Sequence, residues 1–180
     1  MAPKKLPPRS YVRQCLTYDP KTGELRWRKR PLSHFPDRVT AQKWNTRWAG
    51  KIAGKNHARG YWMLTIDYQG HLAHRVAWLL AYGEPVPHML DHIDGNRQNN
   101  RIANLRAATQ SENNWNSRLR KNNLVGVKGI RRVPRSGKFS AEIWHHGRSH
   151  VIGYFVTLEE AMAARREAAE RLHGKFARHE

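Results

Sequence analysis

Residues Leu90-Asp91-His92-Ile93-Asp94-Gly95-Asn96 set an acid beside a histidine at the end of a short apolar run. Asn104 follows twelve residues after His92, and Asn113 nine residues after that. A carboxylate can hold a metal, an imidazole can move a proton and amides can hold both in place. These are the parts of a metal-dependent phosphodiesterase. The chain carries a net charge of +19, with 33 Lys and Arg against 14 acids in 180 residues. That surplus points to a polyanion, and double-stranded DNA is the phosphodiester it implies.

The donors define the chemistry further. Asp91 offers a hard carboxylate oxygen and Asn113 a neutral amide oxygen. Two oxygen donors without sulfur favour one divalent cation, Mg²⁺ or Mn²⁺, over zinc. Such an ion stabilises charge on the phosphate and on the leaving oxygen. His92 would take a proton from the attacking water, because imidazole titrates near neutral pH. Asn104 would bond backbone across the loop and hold His92 in place. Neighbouring strand residues point to opposite faces. Asp91 and His92 therefore serve one site only if the strand end is distorted or the substrate crosses its edge. Each part also has a plainer reading. An Asp-His pair is often structural, Asn96, Asn99 and Asn100 suit a turn, and Asn113 and Asn114 suit a helix start. The joint spacing favours the chemical reading.

That spacing depends on the elements around it. Met89 to Ile93 reads as a strand, Asp94-Gly95 as a tight turn, and Asn104 to Ala107 as a return strand. Thr109 and Glu112 form a capping box that starts a helix through about Asn116. The pattern brings Asp91, His92 and Asn113 towards one point. Upstream, Met63, Leu64 and Ile66 form a strand, Gln69-Gly70 a turn, and His74 to Tyr82 an apolar helix stopped by Gly83 and Pro85. Ser10 is placed to cap a short helix, and Leu25 and Trp27 alternate as a strand after the Asp19-Pro20-Lys21-Thr22-Gly23 turn. Residues 29–60 read as irregular, with Trp44 and Trp48 either stacking on nucleic acid or filling a small core. Past a basic linker, 127–133, 138–144 and 148–155 read as three strands. Thr157 and Glu160 cap a final helix whose inner face is mostly alanine.

Charge is uneven along the chain. Residues 1–60 hold fifteen basic and three acidic residues, 61–123 hold seven and five, and 124–180 hold eleven and six. Basic flanks thus surround a nearly neutral centre, as expected where flanks hold phosphates and the centre a cation. The single Cys15 excludes an internal disulfide and a Cys-rich zinc site, and suits a reducing compartment. No long apolar run or signal-peptide core is seen, so the expectation is a cytoplasmic protein without a membrane or a small-molecule cofactor.

Residues 88–117 resemble an HNH nuclease motif of the ββα-metal type, in the subfamily of phage and intron-borne homing endonucleases. His74-Arg75-Val76-Ala77-Trp78 and Tyr18 to Trp27 resemble that subfamily's amino-terminal half. The resemblance implies His92 as general base, Asn104 as the central structural asparagine, and Asp91 and Asn113 as ligands of a single cation. Many members have histidine where this chain has Asn113. Residues 126–177 resemble the Apetala/ethylene-response-factor type of DNA-binding domain through Gly129-Ile130-Arg131, Gly137 to Ile143, Gly153-Tyr154-Phe155 and Leu172 to Ala177. Strand position in that family implies Arg131, Lys138, Trp144 and Arg148 as DNA contacts.

The expected fold is α+β: a ββα-metal core with an N-terminal β-rich extension and a C-terminal three-stranded antiparallel sheet packed on one helix. The expected divisions are a basic extension at 1–60, a nuclease core at 61–118, a linker at 119–125 and a DNA-binding domain at 126–178. The expected function is site-selective, homing-type DNA cleavage, with one site per chain favouring nicking. Two rivals use the same residues: a non-catalytic DNA-binding regulator on a retained scaffold, and an RNA-directed nuclease. The sequence gives no oligomeric state.

Overall fold

Helix α1 (Arg9–Cys15) turns Val12 and Cys15 fully inward, and the chain passes straight into β1 (Leu16–Tyr18). The sequence places Ser10 at the cap, but the helix begins one residue before it, behind Pro8. The Arg9 guanidinium explains this: it donates to the carbonyls of Leu80 and Ala81 at 2.8 and 3.2 Å, which ties the helix start down. Strand β1 pairs antiparallel with β2 (Leu25–Trp27).

The computed structural model describes residues 5–119 and 122–179. Contacts divide the chain into two compact units, Met1–Ala107 and Ala108–Glu180.

Within the first unit, residues 29–60 are not irregular. Helix α2 (Arg38–Trp48) starts at Asp37, whose carboxylate accepts from the Thr40 N–H and hydroxyl, both at 2.7 Å. Only Ala41 of this helix is buried, so no apolar stripe marks it in the sequence. It is held instead by Asn45, which exchanges hydrogen bonds with the Arg30 backbone at 2.8 and 3.0 Å, and by Trp44 set edge-on to Trp27. Trp44 is thus a packing residue, whereas Trp48 is exposed.

A short β3 (Lys55–Asn56) pairs with β4 (Trp62–Ile66), which pairs with β5 (Gln69–Leu72). The hairpin turn is Asp67-Tyr68, both at positive φ, not Gln69-Gly70; Gly70 lies in β5 opposite Thr65. The Asp67 carboxylate is gripped by Arg30 at 2.6 Å and by the Tyr11 hydroxyl, which fixes the turn where it is. Helix α3 (Ala73–Tyr82) follows and buries Ala73, Val76, Ala77 and Leu79. One core runs through Val12, Leu16, Leu25, Trp27, Leu64, Ile66, Val76 and Leu79, so residues on both sides of position 60 share it. Strand β6 (Leu90–His92) then pairs antiparallel with β7 (Leu105–Ala107).

The second unit opens with α4 (Gln110–Trp115), carrying the expected Thr109/Glu112 capping box. Strands β8 (Ile130–Arg132), β9 (Phe139–His145) and β10 (Arg148–Phe155) form an antiparallel sheet in the order β10-β9-β8. Helix α5 (Leu158–His173) has its own capping box at Thr157/Glu160. It lays Ala161, Ala168 and Ala169 on Ile130, Ala141 and Ile143. Lys128 closes the far end of α4, its ammonium donating to the carbonyls of Trp115 and Ser117 at 2.6 and 2.7 Å. Trp115 stacks on His173, ring centroids 4.2 Å apart and 7° from parallel.

Candidate active site

The three residues of β6 are all buried, and the register sets Asp91 opposite Arg106 and His92 opposite Leu105. Alternation sends Asp91 and His92 to different neighbours. The Asp91 carboxylate meets Arg106, whose Nε donates to Oδ2 at 2.8 Å and whose Nη2 lies 2.7 Å from the same oxygen. His92 enters an aromatic corner made by Tyr61 and His74. Arg97 covers the Tyr61 ring with its guanidinium carbon 4.8 Å from the centroid.

After His92 the chain turns through a loop built almost wholly from side-chain amides. The Gly95 N–H donates to the His92 carbonyl at 2.8 Å, and Gly95 holds a φ of +67. Asp94 organises the rest of the loop. Its carboxylate accepts from the Asn96 N–H at 2.7 Å, from Asn99 Nδ2 at 2.7 Å and from Asn104 Nδ2 at 2.9 Å. Burial pushes the Asp94 carboxyl up, but these bonds outweigh it and hold the group below the usual carboxylate range. Asn104 also accepts from the Asp94 N–H at 3.0 Å and donates to the Asn99 carbonyl at 2.9 Å. Its own carbonyl accepts from the Ile93 N–H at 2.9 Å. Asn104 thus spans the loop immediately after His92.

Asn100 sits directly against the imidazole. Its Oδ1 lies 3.4 Å from His92 Nε2, while its Nδ2 donates to the Gln98 carbonyl at 3.2 Å. The Gln98 carbonyl accepts only, so it orients the amide and leaves Oδ1 facing the ring. A hydrogen on Nε2 would donate to this oxygen and leave Nδ1 as the proton-accepting nitrogen. Burial lowers the His92 pKa, partly opposed by the Asn100 bond and the nearby Asp94 and Asp91 charges, so the ring is neutral near pH 7. A neutral imidazole with a fixed tautomer is what a proton acceptor requires.

The loop is supported from the amino terminus. The Tyr18 hydroxyl donates to the Asn100 carbonyl at 2.8 Å. At Gly23, φ is +80 and an added Cβ would lie 2.6 Å from the Arg101 backbone nitrogen. The Asp19–Gly23 turn therefore seats directly under Asn100 and Arg101.

Of the residues singled out from sequence, Asp91, His92 and Asn104 come together around β6 and its loop. Asn113 lies in the first turn of α4, in the second unit. Sequence reasoning misses three contributors. It presents Asn100 only as a turn former and His74 only within an apolar helix and a family-like stretch, with no role at the site, and it does not single out Tyr61. Both His74 and Tyr61 are ring-to-ring neighbours of His92, which is a relation of the fold and has no local signal.

The donor chemistry of Asp91 and Asn113 fits a hard cation, since both offer oxygen. Among the described residues no group of three or more His, Cys, Asp or Glu could hold a metal.

On the C-terminal sheet, cross-strand register sets Arg131 opposite Ser140 and Trp144 opposite Ser149. Arg131 and Trp144 therefore share the face turned away from α5, and by the same parity Lys138 does too. Arg148 pairs with His145 and so lies on the opposite parity. Trp144 is 62 % exposed, and Arg131, Lys138 and Arg148 also reach the surface.

Residues 71–115 match the HNH endonuclease family. The chain is 34% identical over 113 residues to Protein 3.8 of Escherichia phage T7, covering 62% of this chain and 92% of that protein. The chain belongs to the family of Protein 3.8 and carries an HNH endonuclease domain. It is also 33% identical over 106 residues to Uncharacterized HNH endonuclease L560 of Acanthamoeba polyphaga mimivirus. That match covers 58% of this chain and 54% of the relative, about half its length. No solved structure matches. The HNH domain contains every residue of the β6–loop–β7 site, together with His74 and Asn113. Its nuclease affiliation supports a nucleic-acid substrate and a divalent metal.

Proposed function

We propose that this chain is a metal-dependent, homing-type DNA endonuclease that nicks one strand at a selected site. The observation carrying this reading is the buried His92, whose Nε2 lies 3.4 Å from Asn100 Oδ1, next to Asp91 in the strand and within the HNH domain. His92 Nδ1 takes the proton from water as its oxygen adds to phosphorus. One P–O bond forms, the bridging P–O bond breaks, and the departing oxygen takes a proton from solvent water, leaving a phosphate end and a hydroxyl end. Asn100 fixes which nitrogen is basic, and Asn104 fixes the loop that carries Asn100. Asp91 and Asn113, matched to the family's ligand positions, would be the oxygen donors for one Mg²⁺ or Mn²⁺. That ion supplies charge stabilisation to the phosphate and the departing oxygen.

Double-stranded DNA is the substrate in this reading because the net charge of +19 suits a phosphate lattice. Residues 61–118 form the nuclease core, and 119–125 link it to a DNA-binding module at 126–178. In that module Arg131, Lys138 and Trp144 contact DNA from one face of the sheet, with Arg148 at its margin. In this reading the chain works in the cytoplasm.

Purified protein on supercoiled plasmid tests the reading. Open circles formed with Mg²⁺ or Mn²⁺, absent with EDTA and with His92→Ala, support it. Linear product at first-order rates contradicts nicking. Plasmid that is bound but uncut, including plasmid bearing the native target, favours a binding-only regulator. Preferential cleavage of structured RNA favours the RNA-directed reading.

A further inference from the structure

The second unit holds a cleft of about 1040 Å³ between the segment following α4, the β8 edge of the sheet and helix α5. Arg165 lies in its wall, at mid-helix on α5, and is only 5 % exposed. Its Nε and Nη1 are buried without a hydrogen-bond partner, and it makes no ion pair among the described residues. A guanidinium cannot shed its charge at neutral pH, so burying one without an acceptor is costly.

Nearby groups do not supply the missing negative charge. The cleft's carboxylate among the described residues is Glu142, and it is engaged elsewhere. Its Oε1 lies 2.6 Å from Arg131 Nη2 and 3.3 Å from the Ser140 hydroxyl, and its Oε2 accepts from Ser149 at 3.3 Å. Lys128 adds a second cation, turned towards the α4 carbonyls. His173 is held neutral by burial, with Arg165, His145 and Lys128 each pushing its pKa lower against the bond to the Trp144 carbonyl. The local field is therefore positive and incompletely compensated. Gly129 lets the backbone come close to this charge: a Cβ there would lie 3.0 Å from Arg165 Nε and 2.4 Å from the Glu142 carbonyl oxygen.

We propose that this cleft is a phosphate-binding site, in which the Arg165 guanidinium receives the phosphate group of a nucleotide or of a nucleic-acid strand. The planar fork of arginine matches two phosphate oxygens. One anion meets the guanidinium along its Nη1–Nη2 edge and supplies the acceptor that Nη1 lacks, and α5 holds the fork rigidly. This inference stands apart from the hydrolytic reading of His92, since it concerns the other unit and needs no catalysis.

Thermal unfolding of the full chain tests it, with wild type and Arg165→Met compared in inorganic phosphate, in pyrophosphate and in chloride at matched ionic strength. Phosphate or pyrophosphate is expected to raise the wild-type Tm by on the order of 5 °C over chloride. Arg165→Met, similar in volume and uncharged, is expected to show no such rise and to melt in chloride no lower than wild type. Equal anion responses in the two proteins, or none in wild type, would overturn the proposal. A variant that melts lower in chloride yet keeps the anion response would make Arg165 a packing residue and also overturn it. A duplex-DNA arm separates the sources. If Arg165→Met reduces the slope of log affinity against log salt by about one, the phosphate comes from a strand. An unchanged slope, with the anion response lost, assigns the site to a free nucleotide or phosphate.

Discussion

His74 stands edge-on to His92, with ring centroids 5.0 Å apart and planes 81° apart, and both rings are buried. Two imidazoles this close disfavour each other's protonated forms. Burial first, and then the neighbouring His92, drive the His74 pKa down to about 3. His74 Nδ1 has no hydrogen-bond partner, which fits a ring used for its shape rather than its proton.

The pH dependence of stability follows from that depression. In the unfolded chain a histidine protonates near pH 6.5, whereas folded His74 stays neutral down to about 3. Below pH 6.5 the unfolded state therefore binds the extra proton. The contribution of His74 is fully present above pH 6.5 and is lost as pH falls towards 3, with a slope of up to about 1.4 kcal/mol per pH unit. Urea denaturation at pH 7, 6, 5 and 4 measures this. His74→Phe should lose less stability on acidification than wild type. Parallel slopes in the two proteins would mean that His74 is not buried as a neutral ring.

Asn100 should matter to cleavage more than to folding. Without its amide, His92 keeps its place on β6 but loses the acceptor that fixes Nε2 as the protonated nitrogen. Asn100→Ala is expected to slow plasmid nicking by about 10–100-fold, the range seen when a histidine's orienting partner is removed. Tm should fall by only a few degrees. Full nicking activity in this variant would remove Asn100 from the site.

Arg106 is the clearest stability prediction. It bonds a carboxylate that is 4 % exposed, so its loss leaves Asp91 buried without its strongest counter-charge. Breaking one side of a buried pair costs about 3–5 kcal/mol. Arg106→Ala should lower the denaturant midpoint accordingly. Asp91→Asn with Arg106→Met should recover much of that loss without restoring nicking.

Gly23 tests the support beneath the loop. An alanine there would hold φ at +80 with its Cβ 2.6 Å from backbone, so the Asp19–Gly23 turn or the Asn100–Arg101 segment must move. Gly23→Ala should cost about 2 kcal/mol or more and reduce nicking beyond what Tm alone accounts for. Amide hydrogen exchange should localise the loosening to residues near 100. Unchanged exchange there would separate the turn from the site.

The site is largely legible where chemistry is local. Asp91-His92 at a strand end, the Asp94-Gly95 turn and the Thr109/Glu112 box all carry their signals within a few residues, and each element forms where those signals lie. The C-terminal sheet and helix are legible for the same reason, through turn glycines and a second box. Relations set by distant partners escape. Helix α2 has almost no apolar face, so periodicity does not report it. The β4–β5 turn shifts because Arg30 and Tyr11 grip Asp67 from elsewhere in the chain. The grouping of α4 is another such case: Lys128 and His173, far along the sequence, decide which unit Trp115 belongs to.

The seam in the fold and the end of the family match do not coincide. The match runs to residue 115, while the fold divides after Ala107. A recombination event that cut at the end of the match would part Trp115 from the histidine it stacks on and strip the lysine from the end of α4. A module exchanged on this scaffold must therefore carry α4 with it, or bring its own replacement for Lys128 and His173. Chimeras joined before residue 108 should fold best, and they exchange Asn113 along with the module.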